Sequence, residues 1–181
     1  SYAGKIEEQS VQDRFTADLA EVYKSSTPSQ RKTFGEARGL MKSAVQFYDR
    51  SEYLRAIELF SKARELFAKT SDEGEKLFAE AWIGYCHLRL QHPEISIETF
   101  QRLSKIFEAK AYRSLFAQSL FATADAFTAK NEYSKVLDRA RRSFVISEQI
   151  QDYANAIRCL QSETIIQVIL GNYSEALAVV F

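Results

Sequence analysis

The sequence predicts an all-α protein, a stack of antiparallel helix pairs with about nine helices. Three observations carry that expectation. A pattern recurs every 40 residues without insertion or deletion, its apolar residues fall on helical stripes, and only six Gly and two Pro punctuate 181 residues. Scarce breakers favour long helices over many short strands. A constant period of this size marks an array of like units, each unable to bury its apolar face alone.

The period is clearest where each second helix begins. "SEYLRAIELF" from Ser51, "QHPEISIETF" from Gln91, "NEYSKVLDRA" from Asn131 and "GNYSEALAVV" from Gly171 align column for column. Tyr53, Tyr133 and Tyr173 share a column with Pro93, and proline suits a first helical turn because its missing N–H has no partner there. Three residues on stand Ala56, Ser96, Val136 and Ala176, small enough for close helix approach. Phe60, Phe100, Ala140 and Val180 follow, then Ala63, Leu103 and Ser143, which completes one i, i+4, i+7 stripe.

In chain order, the first element is an amphipathic helix over Ile6 to Lys24, with Val11, Phe15, Leu19 and Val22 on one face. Residues 1–26 are expected to cap the first repeat. "STPSQ" then opens a long helix: Thr27 caps, Pro28 takes the first position and Gln30 completes a capping box, with the end near Arg50. Residues 27–181 form the array, in units 27–71, 72–111, 112–151 and an incomplete 152–181. The first helices of three units align as "GLMKSAVQFYD" with Ser43, Ala44 and Phe47, "EAWIGYCHLRL" with Ile83, Gly84 and His87, and "SLFATADAFTA" with Thr123, Ala124 and Phe127. Polar links are expected at Asp72 and Glu73, Ala111 and Tyr112, and Asp152 and Tyr153. The last unit carries Ile165, Ile166, Val168, Ile169 and Leu170 as an apolar patch without a polar outer face. Terminal repeats are ordinarily solvated outside, so the chain is expected to be a piece of a longer one, or to pair through this patch with a second copy.

Composition narrows the function. Twenty-four Lys and Arg balance 24 Asp and Glu, so no basic field exists to displace counterions, and a nucleic-acid partner is not expected. The densest basic cluster, Arg139, Arg141 and Arg142, shares its helix with Asp138 and Glu148 and reads as a solvated face. No apolar run reaches the roughly 18 residues of a membrane helix, and "SYAGKIEEQS" is no secretory signal. Cys86 and Cys159 read as buried thiols of a reducing compartment, so a cytoplasmic location is expected. Two histidines offer no nucleophile–base set: His87 lies in a packing column and His92 in a turn. No clustered zinc ligands and no phosphate loop occur, so neither catalysis, metal nor cofactor is expected.

The Gly171–Asn172–Tyr173 turn, the Ala56, Phe60, Ala63 stripe and the Ile83–Gly84 step resemble the tetratricopeptide repeat family, over roughly Thr27 to Phe181. The family's common period is about 34 residues, and the longer period here is similar to the elongated repeats of polarity scaffolds and bacterial signalling regulators. The resemblance implies a right-handed α-solenoid whose concave groove is lined by the first helix of each repeat. Carried over by alignment, the groove comprises Arg38, Met41, Val45, Tyr48 and Asp49 from the first repeat, and Phe78, Ala81, Tyr85, Leu88 and Arg89 from the second. Gln118, Phe121, Asp125 and Thr128 follow from the third, and Arg158, Gln161 and Ile165 from the fourth. The family's carboxylate clamp of Lys and Asn is absent, since Met41, Val45, Ala81 and Tyr85 stand there. The resemblance therefore implies a protein-interaction scaffold for a peptide with apolar anchors and some acidic character. The alternatives are a regulatory segment controlling an enzyme or DNA-binding domain elsewhere in a parent chain, or a self-association module.

Overall fold

The computed structural model describes residues 13–180. Helices α1 (Phe15–Ser25), α2 (Pro28–Asp49), α3 (Tyr53–Ala68), α4 (Glu73–Arg89), α5 (Pro93–Ala109), α6 (Arg113–Thr128), α7 (Tyr133–Gln149), α8 (Tyr153–Ile169) and α9 (Tyr173–Val180) make up the regular structure, with no strand among the described residues. From α2 onward each helix packs on the next, and the first helices of successive units also touch, α4 with α6 and α6 with α8. The result is an all-α array of helix pairs. The expected helix start at Ile6, the stripe residue Val11, the side chain of Val180 and Phe181 lie outside the described residues.

The aligned columns are the core. Ala56, Ser96 and Val136 are fully buried, as are Phe60, Phe100 and Ala140, and Ala63, Leu103 and Ser143. Each second helix thus seats one stripe between the first helix of its own unit and that of the next. At Gly84 a Cβ would lie 3.0 Å from Phe100 Cε2 and 3.1 Å from Thr99 Cγ2, so this glycine lets α4 and α5 close on each other. Asn155, buried on α8, donates to Ser143 Oγ at 3.0 Å and Ser147 Oγ at 2.8 Å, while Ser143 Oγ donates to Ala117 O at 2.7 Å. That chain of bonds ties three helices of two units. The Asn155 amide nitrogen and the two serine hydroxyls are thereby paired, while Asn155 Oδ1 is buried without a hydrogen-bond partner.

Six of the described helix ends share one device. A residue in the left-handed region follows the end of each first helix: Ser51 (φ 62°), Gln91 (58°), Asn131 (59°) and Gly171 (77°), with Ala111 (56°) and Gln151 (61°) doing the same after second helices. The next N–H then reaches back five residues, as Glu52 to Phe47 O, Tyr112 to Phe107 O and Asp152 to Ser147 O, which closes the helix end.

Helix starts are capped by side chains at three places, of which the sequence suggested the first. Thr27 and Gln30 form the capping box, Asp72 accepts from Glu75 N–H at 2.9 Å, and Asp152 accepts from Asn155 N–H at 3.1 Å. The third unit differs. Its cap column holds Tyr112, expected as a polar link, which is only 2% exposed. The missing carboxylate comes from Asp13, whose Oδ2 accepts from Ser114 N–H at 2.7 Å while Oδ1 accepts from Phe15 N–H at 3.0 Å. Asp13 thus starts α1 and α6 together.

That bond places α1. The helix expected to cap the first repeat touches that repeat and the next two units as well. Phe15 packs edge-on against Tyr112 (ring centroids 5.2 Å apart) and near Phe78 (6.2 Å), Tyr112 Oη donates to Asp18 at 2.9 Å, and Tyr23 lies near Phe34 (6.4 Å). Tyr112 is buried because α1 covers it. No helix among the described residues is long and apolar enough to cross a membrane.

Candidate functional site

The side chains assigned to the groove lie along the first helices α2, α4, α6 and α8, and several of them bridge one first helix to the next. Between α2 and α4, Arg38 pairs with Glu75 (Nε–Oε1 2.8 Å), and Arg89 Nε donates to Tyr48 Oη at 3.1 Å. Between α4 and α6, Tyr85 Oη points at Gln118 O, 3.5 Å away. Between α6 and α8, the Arg158 guanidinium sits 4.4 Å above the Phe121 ring. A cation over an aromatic face is held by the ring quadrupole. These contacts make a continuous strip on one side of the array.

The assigned residues divide by exposure. Ala81 and Phe121 are buried, so they form the floor rather than contact points. Met41, Val45, Tyr48, Phe78, Tyr85, Leu88, Gln118, Asp125 and Thr128 are half-buried, and Arg38, Asp49, Arg89, Arg158, Gln161 and Ile165 are exposed. Thr128 spends its hydroxyl on Ala124 O at 3.1 Å. Tyr85 lies tilted against Phe100 at 4.8 Å and edge-on to Trp82 at 5.8 Å, so it supports the pile as well as facing the strip. Phe78 has Phe15 of α1 beside it. Arg38 is also 6.0 Å from the Tyr23 ring, so α1 occupies this end of the strip.

Trp82 was not among the assigned residues, yet it organises the first half of the strip. It stacks on Phe60 at 5.4 Å and meets Tyr48 (5.2 Å), Phe78 (6.3 Å) and Tyr85 edge-on. Its column holds Lys42, Ala122 and Ser162 in the other units, so alignment gave no reason to single it out. Being the only tryptophan was the one available signal.

The polar centre of the strip is Asp125. Burial raises its carboxyl pKa to about 6, against the opposing pull of Arg158 and Arg89. Burial also pushes the Tyr85 phenol upward, so it stays neutral and can only donate or accept as a hydroxyl. The arrangement offers two exposed cations, Arg89 and Arg158, beside one carboxyl whose pKa burial raises, with Tyr48, Leu88 and Gln161 as neighbours along the helices.

On the last unit, the expected apolar patch is mostly real. Ile165 (58%), Val168, Ile169 and Leu170 are exposed, but Ile166 is 1% exposed. Ile166 falls in the column of Cys86 and Ala126, which turns inward, and it packs with Ala124, Phe127, Val136 and Ala140. Beside the exposed residues an apolar hollow of about 500 Å³ is lined by Ile157, Leu160, Gln161, Thr164, Ile165 and Val179.

No family model matches the sequence, and no curated protein aligns with it. Two solved structures are similar in fold. The apo form of RapI superposes with a TM-score of 0.72 at 14% identity, covering 92% of this chain and 45% of that one. Aspartyl phosphate phosphatase F from Bacillus subtilis superposes with a TM-score of 0.77 at 14% identity, covering 97% of this chain and 46% of that one. This chain therefore spans about half the length of either. At such identity the likeness speaks for architecture alone: the chain has the all-α helical-repeat fold found in part of those two proteins.

Proposed function

We propose that the chain is a protein-interaction scaffold that binds a peptide or partner segment along the strip formed by its first helices. The observation that supports this most is the bridging of successive first helices by the assigned residues, which leaves Arg89 and Arg158 exposed beside half-buried Tyr48, Leu88 and Asp125. Arginine and aromatic side chains in a preformed setting are those that most often dominate interface energy. Two cations against one weakened carboxylate favour a ligand with acidic residues next to apolar anchors.

The test is selection of a random peptide library on the chain. Enriched sequences should combine acidic and apolar positions, and Arg89→Ala or Arg158→Ala should each weaken a selected peptide by about 1–2 kcal/mol. Arg142→Ala, on a second helix, should leave affinity unchanged. Peptides enriched equally on wild type and on the double Arg89→Ala, Arg158→Ala variant would overturn the assignment.

The proposal casts the chain as a binding element without chemistry of its own. Hydrolysis of an aspartyl-phosphate protein by the purified chain would refute that part. The second reading, a regulatory segment controlling an enzyme or DNA-binding domain elsewhere in a parent chain, draws on the fold likeness to a protein named as an aspartyl phosphate phosphatase.

A further inference from the structure

The backbone device that ends each first helix also brings two side chains together. The N–H of Glu52, His92, Glu132 and Asn172 reaches back to the carbonyl of Phe47, His87, Phe127 and Gln167, at 2.9, 2.9, 3.0 and 2.9 Å. This six-to-one closure sets the side chains at its two ends against each other. In the fourth unit they are an amide pair, and Asn172 Nδ2 donates to Gln167 Oε1 at 2.9 Å. In the second unit both ends are histidine. His87 Nδ1 and His92 Nδ1 face each other at 3.5 Å, with ring centroids 5.7 Å apart.

We propose that His87 and His92 form a two-imidazole site for one divalent first-row transition cation, at the turn between α4 and α5. Two imidazole nitrogens on a tetrahedral zinc, each at about 2.0–2.1 Å, lie roughly 3.3–3.4 Å apart. The pair already stands close to that spacing, and the backbone bond between the same two residues holds it there. Among the described residues neither ring has any other side-chain hydrogen-bond partner. As only one proton fits between the two Nδ1 atoms, the ring that carries it must move it to Nε2 when a cation takes its place. His92 is exposed, so water completes the coordination; Glu94 is engaged by Lys130 at 2.9 Å. The order of affinities for such nitrogen sites places Cu²⁺ above Ni²⁺ and Zn²⁺. This inference is independent of the peptide-binding proposal.

The test titrates the 181-residue chain with Cu²⁺ and, separately, Zn²⁺, following heat, melting temperature and the Cu²⁺ paramagnetic resonance spectrum. The comparison is the double variant His87→Gln, His92→Asn, which writes the amide pair of the fourth unit into the second and so preserves a side-chain contact this turn already accommodates. Expected are saturable binding of one ion per chain, a raised melting temperature and nitrogen hyperfine structure from two imidazoles. The variant should bind roughly tenfold or more weakly and lose the thermal shift, and acidification should release the ion from wild type as the rings protonate. Equal affinity in the variant, a Cu²⁺ centre without imidazole nitrogen, or no saturable binding of either ion would each overturn the proposal.

Discussion

Asp125 is half-buried with guanidiniums on two sides and, among the described residues, no hydrogen-bond donor on its carboxylate. Its pKa rises from 3.8 to about 6, so the folded chain holds a proton there that the unfolded chain releases. The sign follows: this group favours folding most below about pH 4, and its contribution is lost as pH rises through about 6. Asp125→Asn should therefore raise the melting temperature at pH 7 and flatten its slope between pH 4 and 6; an unchanged slope would remove Asp125 from that role. The two thiols follow the same physics of burial. Cys86 is pushed up to about 12 and Cys159 is also raised, although a bond with Ser143 opposes the shift. Neither should react with a thiol reagent until the chain unfolds. Phe60, fully buried and stacked on Trp82, is the corresponding packing probe: Phe60→Ala should cost about 3–5 kcal/mol in denaturant melts.

At the scale of elements, helix ends hold the information that simple patterns miss. Five of the six left-handed positions are not glycine, which is why glycine spacing marks only the last turn. A side chain in that region carries a steric penalty near 1–2 kcal/mol, so Gln151→Gly, at an exposed site, should stabilise the chain by up to about 1 kcal/mol. The start of α6 is the other case. Its own cap column holds a buried tyrosine, and Asp13, from a hundred residues earlier, supplies the carboxylate. Asp13→Ala should cost about 1–2 kcal/mol and loosen α1, seen as early proteolytic cleavage near Ser25 and Ser26. The stripes of α3, α5 and α7 were legible because burial repeats every 40 residues; the berth of α1 was not, because it belongs to no repeat.

For the whole molecule, the array form decides which surfaces remain open. Interior units have both faces covered by neighbours, whereas α8 and α9 present Ile157, Ile165 and Leu177 outward. A self-association reading rests on that face and its hollow of about 500 Å³. If it is right, sedimentation should show concentration-dependent association that Ile165→Glu abolishes, while the melting temperature barely moves because Ile165 packs little. At the other end, α1 lies against Phe78 and Arg38 and covers that end of the strip. On the proposed reading, a partner would centre on Arg89, Asp125 and Arg158.

By itself the sequence determined the repeat: its period, the identity of the buried columns and the capping box at Thr27. These are local or nearest-neighbour properties, and a stack of like units repeats them in register. Tertiary structure alone decided the rest. It set Trp82 at the hub of the aromatic cluster, buried Tyr112 beneath α1 and brought Asp13 to a distant helix start. Each depends on contacts between residues that no constant spacing relates.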